Sequence, residues 1–159
     1  MMRKALRSPI LAVGLVIVFA GTALATAASG LTPTTLSRGT VPEKVHFNTG
    51  EVKFQTKADV DLVTQTITFA AGSTSGWHAH PGVLLVTVAS GSLVRYDGNC
   101  SATTYTAGTA KSAFVESGDH SGLVRNETAS SAVVYVTYIV PKGTAALRIN
   151  KANPNCGPS

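Results

Sequence analysis

Beyond residue 40, no stretch of this chain holds apolar residues at the spacing of a helix; its apolar segments are short and each is cut off by turn-forming residues. Val60 to Phe69 alternates imperfectly, Val60 and Leu62 on one register and Val63, Ile67 and Phe69 on the other, which argues a strand without saying which face is core. Val83 to Val88 is a continuous apolar run ended by Ala89-Ser90-Gly91, and Ser92 to Tyr96 returns before the break at Asp97-Gly98-Asn99. Ala113 to Val115, His120 to Arg125 and Ala132 to Val140 follow, each bounded by Gly, Asn, Ser or Pro. Six to nine short strands at hairpin spacing exclude a parallel βαβ fold. They point to an antiparallel sandwich or barrel.

Composition sets the scale. The 159 residues are 44% hydrophobic and 13% charged, against roughly 25% charged in an average soluble domain. That is enough for one core and one domain. The net charge of +5 at first suggests a nucleic-acid or membrane partner, but Arg3, Lys4 and Arg7 sit ahead of an apolar run from Ile10 to Ala20 and the small residues Ala23, Ala25 and Ala27. Cationic, apolar and small segments in that order read as a secretory signal peptide over residues 1–27, with an uncleaved anchor as the competing reading. The remaining 132 residues carry ten Lys and Arg against eight Asp and Glu, scattered without a run, so nucleic-acid binding has no support and no membrane contact is expected after cleavage.

Leu31 to Thr40 is rich in Thr, Ser and Pro, which reads as a flexible leader over 28–43 or an arm laid over the domain; the domain itself is expected over 44–150. Cys100 and Cys156 are the only cysteines, and an even pair in an exported protein reads as one disulfide tying down a tail over 151–159. Closing a loop of about 57 residues is worth roughly 4 kcal/mol in the chain-entropy model.

One stretch carries chemistry. Gly72, His78, His80 and Gly91 stand in the spacing G-x5-H-x-H-x10-G. This resembles the first motif of the cupins, G-x5-H-x-H-x(3–4)-E-x6-G, and the resemblance implies a single antiparallel jelly-roll β-barrel. In a strand, His78 and His80 project to the same face, which in a barrel is the interior, where two neutral imidazoles make half of a divalent transition-metal site. Further features between residues 36 and 156 look like small exported cupin-domain proteins of actinobacteria: Leu36-Ser37-Arg38-Gly39-Thr40, Tyr96-Asp97-Gly98 before Cys100, and Leu123-Val124-Arg125-Asn126-Glu127.

The sequence departs from the family's pattern at both remaining ligands. Leu84 occupies the position of the Glu, so the carboxylate of the site is expected to be missing. Aligning the second motif, G-x5-P-x-G-x2-H-x3-N, on Asn126 puts Gly122 where the third His belongs. His120 stands two residues earlier, on the same face in a regular strand, so the candidate metal ligands are His78, His80 and His120. Glu116 and Asp119 are nearby carboxylates, Asp119 pointing away from His120 if the strand is regular. Zn, Fe, Mn and Cu all suit such a site.

Three functions follow as expectations. The first is an exported or cell-envelope binding module holding a small polar ligand in the barrel. The second is a metal-dependent oxygenase, isomerase or lyase, and the third a structural envelope domain with a filled barrel. Family members often pair as dimers, so a homodimer is a further expectation.

Overall fold

The computed structural model describes residues 26–155. The expected signal peptide therefore lies outside the described residues except for Thr26 and Ala27, as does Cys156. Among the described residues there are twelve strands and no helix, and no helix is long and apolar enough to cross a membrane.

The strands are β1 (Ser29–Val41), β2 (His46–Asn48), β3 (Lys53–Gln55), β4 (Val60–Thr74), β5 (His78–Ala79), β6 (Val83–Ser90), β7 (Ser92–Asp97), β8 (Ala102–Thr106), β9 (Ala113–Glu116), β10 (Gly122–Arg125), β11 (Ala132–Pro141) and β12 (Ile149–Asn150). Two five-stranded antiparallel layers can be traced, β1-β4-β11-β6-β9 and β12-β5-β10-β7-β8, joined where Thr74 of β4 pairs with Arg125 of β10. At another seam His80 N–H donates to Gly118 O at 2.9 Å, and the β6–β7 turn carries the chain between layers at Gly91. The result is a nearly closed antiparallel jelly-roll barrel. The β2–β3 hairpin is a separate two-stranded sheet.

Alternation fixes what faces inward. On β6, Leu84, Val86 and Val88 are buried while Val83, Leu85 and Thr87 are exposed. On β11 the even positions from Ala132 to Val140 are all buried, and on β4 the odd register of Asp61, Val63 and Phe69 turns out to be the core face. Each buried Val or Leu contributes about 1.5–3 kcal/mol relative to exposure. Gly91 makes the β6–β7 turn possible with φ of 75°, and a Cβ there would stand 2.8 Å from that of Ala132.

The Thr-rich segment, expected as a flexible leader or an arm laid over the domain, is a strand: Ser29 to Val41 pairs with β4 along its length, from Ser29↔Thr74 to Val41↔Val60. Thr suits a pleated edge strand as well as it suits a loop, and Pro33 is tolerated because the outer edge of β1 needs no donor there. Side chains add a clamp. Arg38 Nε–H and Thr40 Oγ1–H donate to the buried Asp61 carboxylate at 3.1 and 2.8 Å, joined by Gly143 N–H at 3.0 Å. Twelve strands also exceed the expected six to nine, because β2, β3, β5 and β12 are too short to show alternation in sequence.

Candidate metal centre

β5 is only two residues long, yet its place is set from both sides: His78 pairs with Gly122 of β10 and with Asn150 of β12, and Ala79 pairs with Ile149. The expected period-2 geometry holds. The rings of His78 and His80 are both buried and meet edge to face, centroids 4.6 Å apart. Trp77, on the alternate position, is completely buried outside the main core cluster.

Backbone carbonyls orient both imidazoles. A carbonyl only accepts, so the 2.8 Å contact of His78 Nδ1 with Gly76 O and the 2.6 Å contact of His80 Nδ1 with Leu147 O place a proton on each Nδ1. In the neutral rings each Nε2 then carries a lone pair. Such partners fix the tautomer of metal-binding histidines. Burial, then the neighbouring His80 and Arg148, pull the His78 pKa down to about 4, the Gly76 bond and Glu116 opposing them, so this ring is neutral at pH 7.

The third member is Glu116, at the end of β9. Potential ligand atoms of His78, His80 and Glu116 all lie within 4.8 Å of one another. Leu84, where the family's motif carries its Glu, pairs directly with Glu116 across the β6–β9 ladder. The carboxylate thought missing is therefore supplied by the adjacent strand, a correction to the sequence reading. Burial pushes the Glu116 pKa up, but hydrogen bonds from His80 and Arg95, with the Arg95 charge, outweigh it and hold the group at about 2. Arg95 Nε–H donates to Oε1 at 2.8 Å, while Oε2 faces His80 Nε2 at 3.4 Å.

That last contact carries a charge requirement. With one His80 proton committed to Leu147 O, Nε2 must either carry a second proton, which would donate to Glu116 Oε2, or turn a lone pair toward the ionised carboxylate, where two lone pairs repel. His80 Nε2 is buried and otherwise without a hydrogen-bond partner. A positive charge between Nε2 and Oε2, either a proton or a metal ion, resolves the conflict. Two imidazole nitrogens and one carboxylate oxygen suit a divalent transition metal. These residues fit such an ion.

His120 does not join them. The chain from Ser117 to Ser121 turns before β10 begins at Gly122, so the regular-strand premise fails. His120 is largely exposed, its Nδ1 at 2.6 Å from Ser117 Oγ and 2.9 Å from Asp119 Oδ1. Gly122 is indeed beside the centre, but the space is used: a Cβ there would stand 3.5 Å from Glu116 Oε1 and 3.8 Å from Arg95 Nη2. Where the motif's third His would reach in, this chain places the Glu116–Arg95 pair.

A cavity of about 330 Å³ opens beside these residues, so the barrel is not filled by side chains as a purely structural role requires. Its walls are layered by strand register. Tyr138, Leu84 and Glu116 lie side by side on β11, β6 and β9, with the His80 ring 5.7 Å from that of Tyr138. The next inward layer is Val136, Val86 and Phe114, and beyond it Val134 pairs with Val88. The cavity is thus polar at one end and mostly apolar along its depth, where Gln65, paired with Val136, is a polar exception. Burial raises the Tyr138 pKa to about 12, helped by Glu116 and opposed by Arg148. Of the four tyrosines, Tyr138 alone lines this cavity.

No family model matches the sequence, and no curated protein matches it. Among solved structures, a cupin domain from Bordetella pertussis is similar at 17% identity, covering 69% of this chain and 93% of its own, with a TM-score of 0.46. The Cupin_2 domain of an XRE-family transcriptional regulator from Enterobacter cloacae is 15% identical, covering 72% and 100%, with a TM-score of 0.48. An oxalate oxidase solved with the substrate analogue glycolate is 22% identical over 48% of this chain and 41% of its own, with a TM-score of 0.43. Likeness at this level leaves the chemistry to be argued from the residues themselves.

Proposed function

We propose that this chain is a single-domain binding barrel in which one divalent transition-metal ion, held by His78, His80 and Glu116, anchors a small ligand in the cavity. The single observation behind this reading is the buried cluster of His78, His80 and Glu116, whose ligand atoms lie within 4.8 Å of one another, with His80 Nε2 and Glu116 Oε2 3.4 Å apart. Arg95 occupies Oε1 and leaves Oε2 as the one carboxylate oxygen for the ion. The ion would supply a Lewis-acidic centre with open coordination positions. Around it, the Gly76 and Leu147 carbonyls hold the rings, and the apolar walls exclude water.

A second reading is a metal-dependent enzyme of the oxygenase, isomerase or lyase kind. What favours it is the Tyr138 hydroxyl on the wall beside Glu116, a protonated group available as a proton donor. Export, a Cys100–Cys156 disulfide, an extracytoplasmic location and a homodimer belong to the proposal as well. Cys100 sits in the turn after β7 with φ of 69°, while its expected partner lies beyond the described residues.

Elemental analysis of protein purified without chelators tests the central reading. Near one equivalent of a transition metal is expected in the wild type, lost in His78→Ala and Glu116→Gln and retained in His120→Ala. A wild type that holds no metal and gains none on incubation with Zn(II), Mn(II), Fe(II) or Cu(II) would overturn it.

A further inference from the structure

One guanidinium that lines the cavity has no acidic partner among the described residues. Arg95 is paired with Glu116. Arg148, just before β12, lines the same cavity, and no carboxylate among the described residues forms an ion pair with it. Its Nε–H donates to Asn150 Oδ1 at 2.8 Å, but Nη2 is buried with no hydrogen-bond partner. Burial pulls its pKa below the usual range, Tyr138 acting the other way. Arg148 is half-buried, and for its buried Nη2 edge a carboxylate is the group whose geometry matches.

Position adds to charge. Leu147, the residue before Arg148, supplies the carbonyl that orients His80, so the cation is anchored at the polar end. Arg148 thus offers the cavity a cationic group that no carboxylate of the described residues balances, and a ligand carboxylate can bind there. Beyond that end the wall is Val86, Phe114, Val124, Val134 and Val136, with no ionisable group. One head group and an apolar body fit this division, and pockets of this size take small molecules of that kind.

We propose that the ligand is a small monocarboxylic acid with an aliphatic or aromatic body, its carboxylate received by Arg148 beside His78 and its body lying along the apolar layers of the barrel. This rests on the reading of the cavity as a ligand site. Arg148 is a specificity-determining residue that reads charge, and Val136 and Phe114 belong to the wall that reads apolar length.

Calorimetric titration with hexanoate, its neutral analogue hexanamide, and acetate tests this, using protein as purified and after EDTA treatment. Hexanoate is expected to bind at least tenfold more tightly than hexanamide in both preparations. It should exceed acetate by about fourfold for each added methylene that enters the cavity. Arg148→Gln should abolish the preference for acid over amide while leaving metal content and the chain-length effect intact. Equal binding of acid and amide by the wild type, no hexanoate binding, or a preference that survives Arg148→Gln would overturn the inference. If those results accompany stoichiometric metal, the metal-barrel reading stands and only the ligand class is lost; absence of both metal and ligand removes both. Should Arg148→Gln not fold, the wild-type comparison of acid with amide decides alone.

Discussion

Acidification is expected to destabilise this barrel through His78. Its folded pKa lies at about 4 against an ordinary value of 6.5, chiefly because the ring is buried and then because His80 and Arg148 stand close. Above pH 6.5 neither the folded nor the unfolded chain protonates this ring, and it contributes nothing. As the pH falls below 6.5 the unfolded chain binds a proton that the folded chain refuses, so stability is lost down to about pH 4 and no further from this group. At 1.36 kcal/mol per pKa unit the interval corresponds to about 3 kcal/mol. Urea denaturation at pH 7.5 and pH 4, with EDTA present so that metal does not contribute, measures it. Wild type should lose about 3 kcal/mol more than His78→Gln between the two conditions. Equal losses in both proteins, or a larger loss in the variant, would refute the burial argument.

Other perturbations have distinct signatures. Arg95→Gln leaves all three ligands in place but frees Glu116 Oε1, and is expected to weaken metal binding 10–100-fold, as titration with a competing chelator would show. Gly122→Ala should be tolerated, whereas Gly122→Val drives its extra methyls toward Glu116 and Arg95 and should lose metal before it loses its far-ultraviolet circular dichroism spectrum. Asn126 is completely buried; its amide donates to Phe69, Ala70 and Ser130 carbonyls, and its oxygen accepts from Thr128. Asn126→Ala should therefore cost about 3 kcal/mol in chemical denaturation by stranding buried polar groups. Mass spectrometry of exported protein alkylated without reduction should find neither cysteine modified and the first 27 or so residues removed; modification of both thiols would contradict the disulfide.

The strands were legible where alternation was long enough to count. Val83 to Val88 and Ala132 to Val140 carry continuous or alternating apolar side chains over six and nine residues, and both are strands. The pair of His78 and His80 was legible for the same reason, since period-2 geometry needs only two positions one residue apart. His120 was misread because its face depended on the strand starting before Gly122, and a tight turn from Ser117 to Ser121 resets the register. Glu116 was visible as a nearby carboxylate, but its inward face depends on which residues of β6 and β9 pair. A sequence-level signal existed in the alternation Phe114, Val115, Glu116, where Val115 is exposed and its two neighbours turn inward. Arg148 carried none, since its place comes from the short pairing of β12 with β5. The Thr-rich edge strand was ambiguous because its outer edge and most of its side chains face solvent.

The most direct test is an anomalous-difference map from crystals grown with Zn(II) and measured above and below the zinc edge. The metal centre described here requires a peak bonded to His78 Nε2, His80 Nε2 and Glu116 Oε2 at about 2.0–2.2 Å. A zinc peak at His120 with none between His80 and Glu116, or a protonated His80 paired directly with Glu116 at saturating zinc, would contradict it.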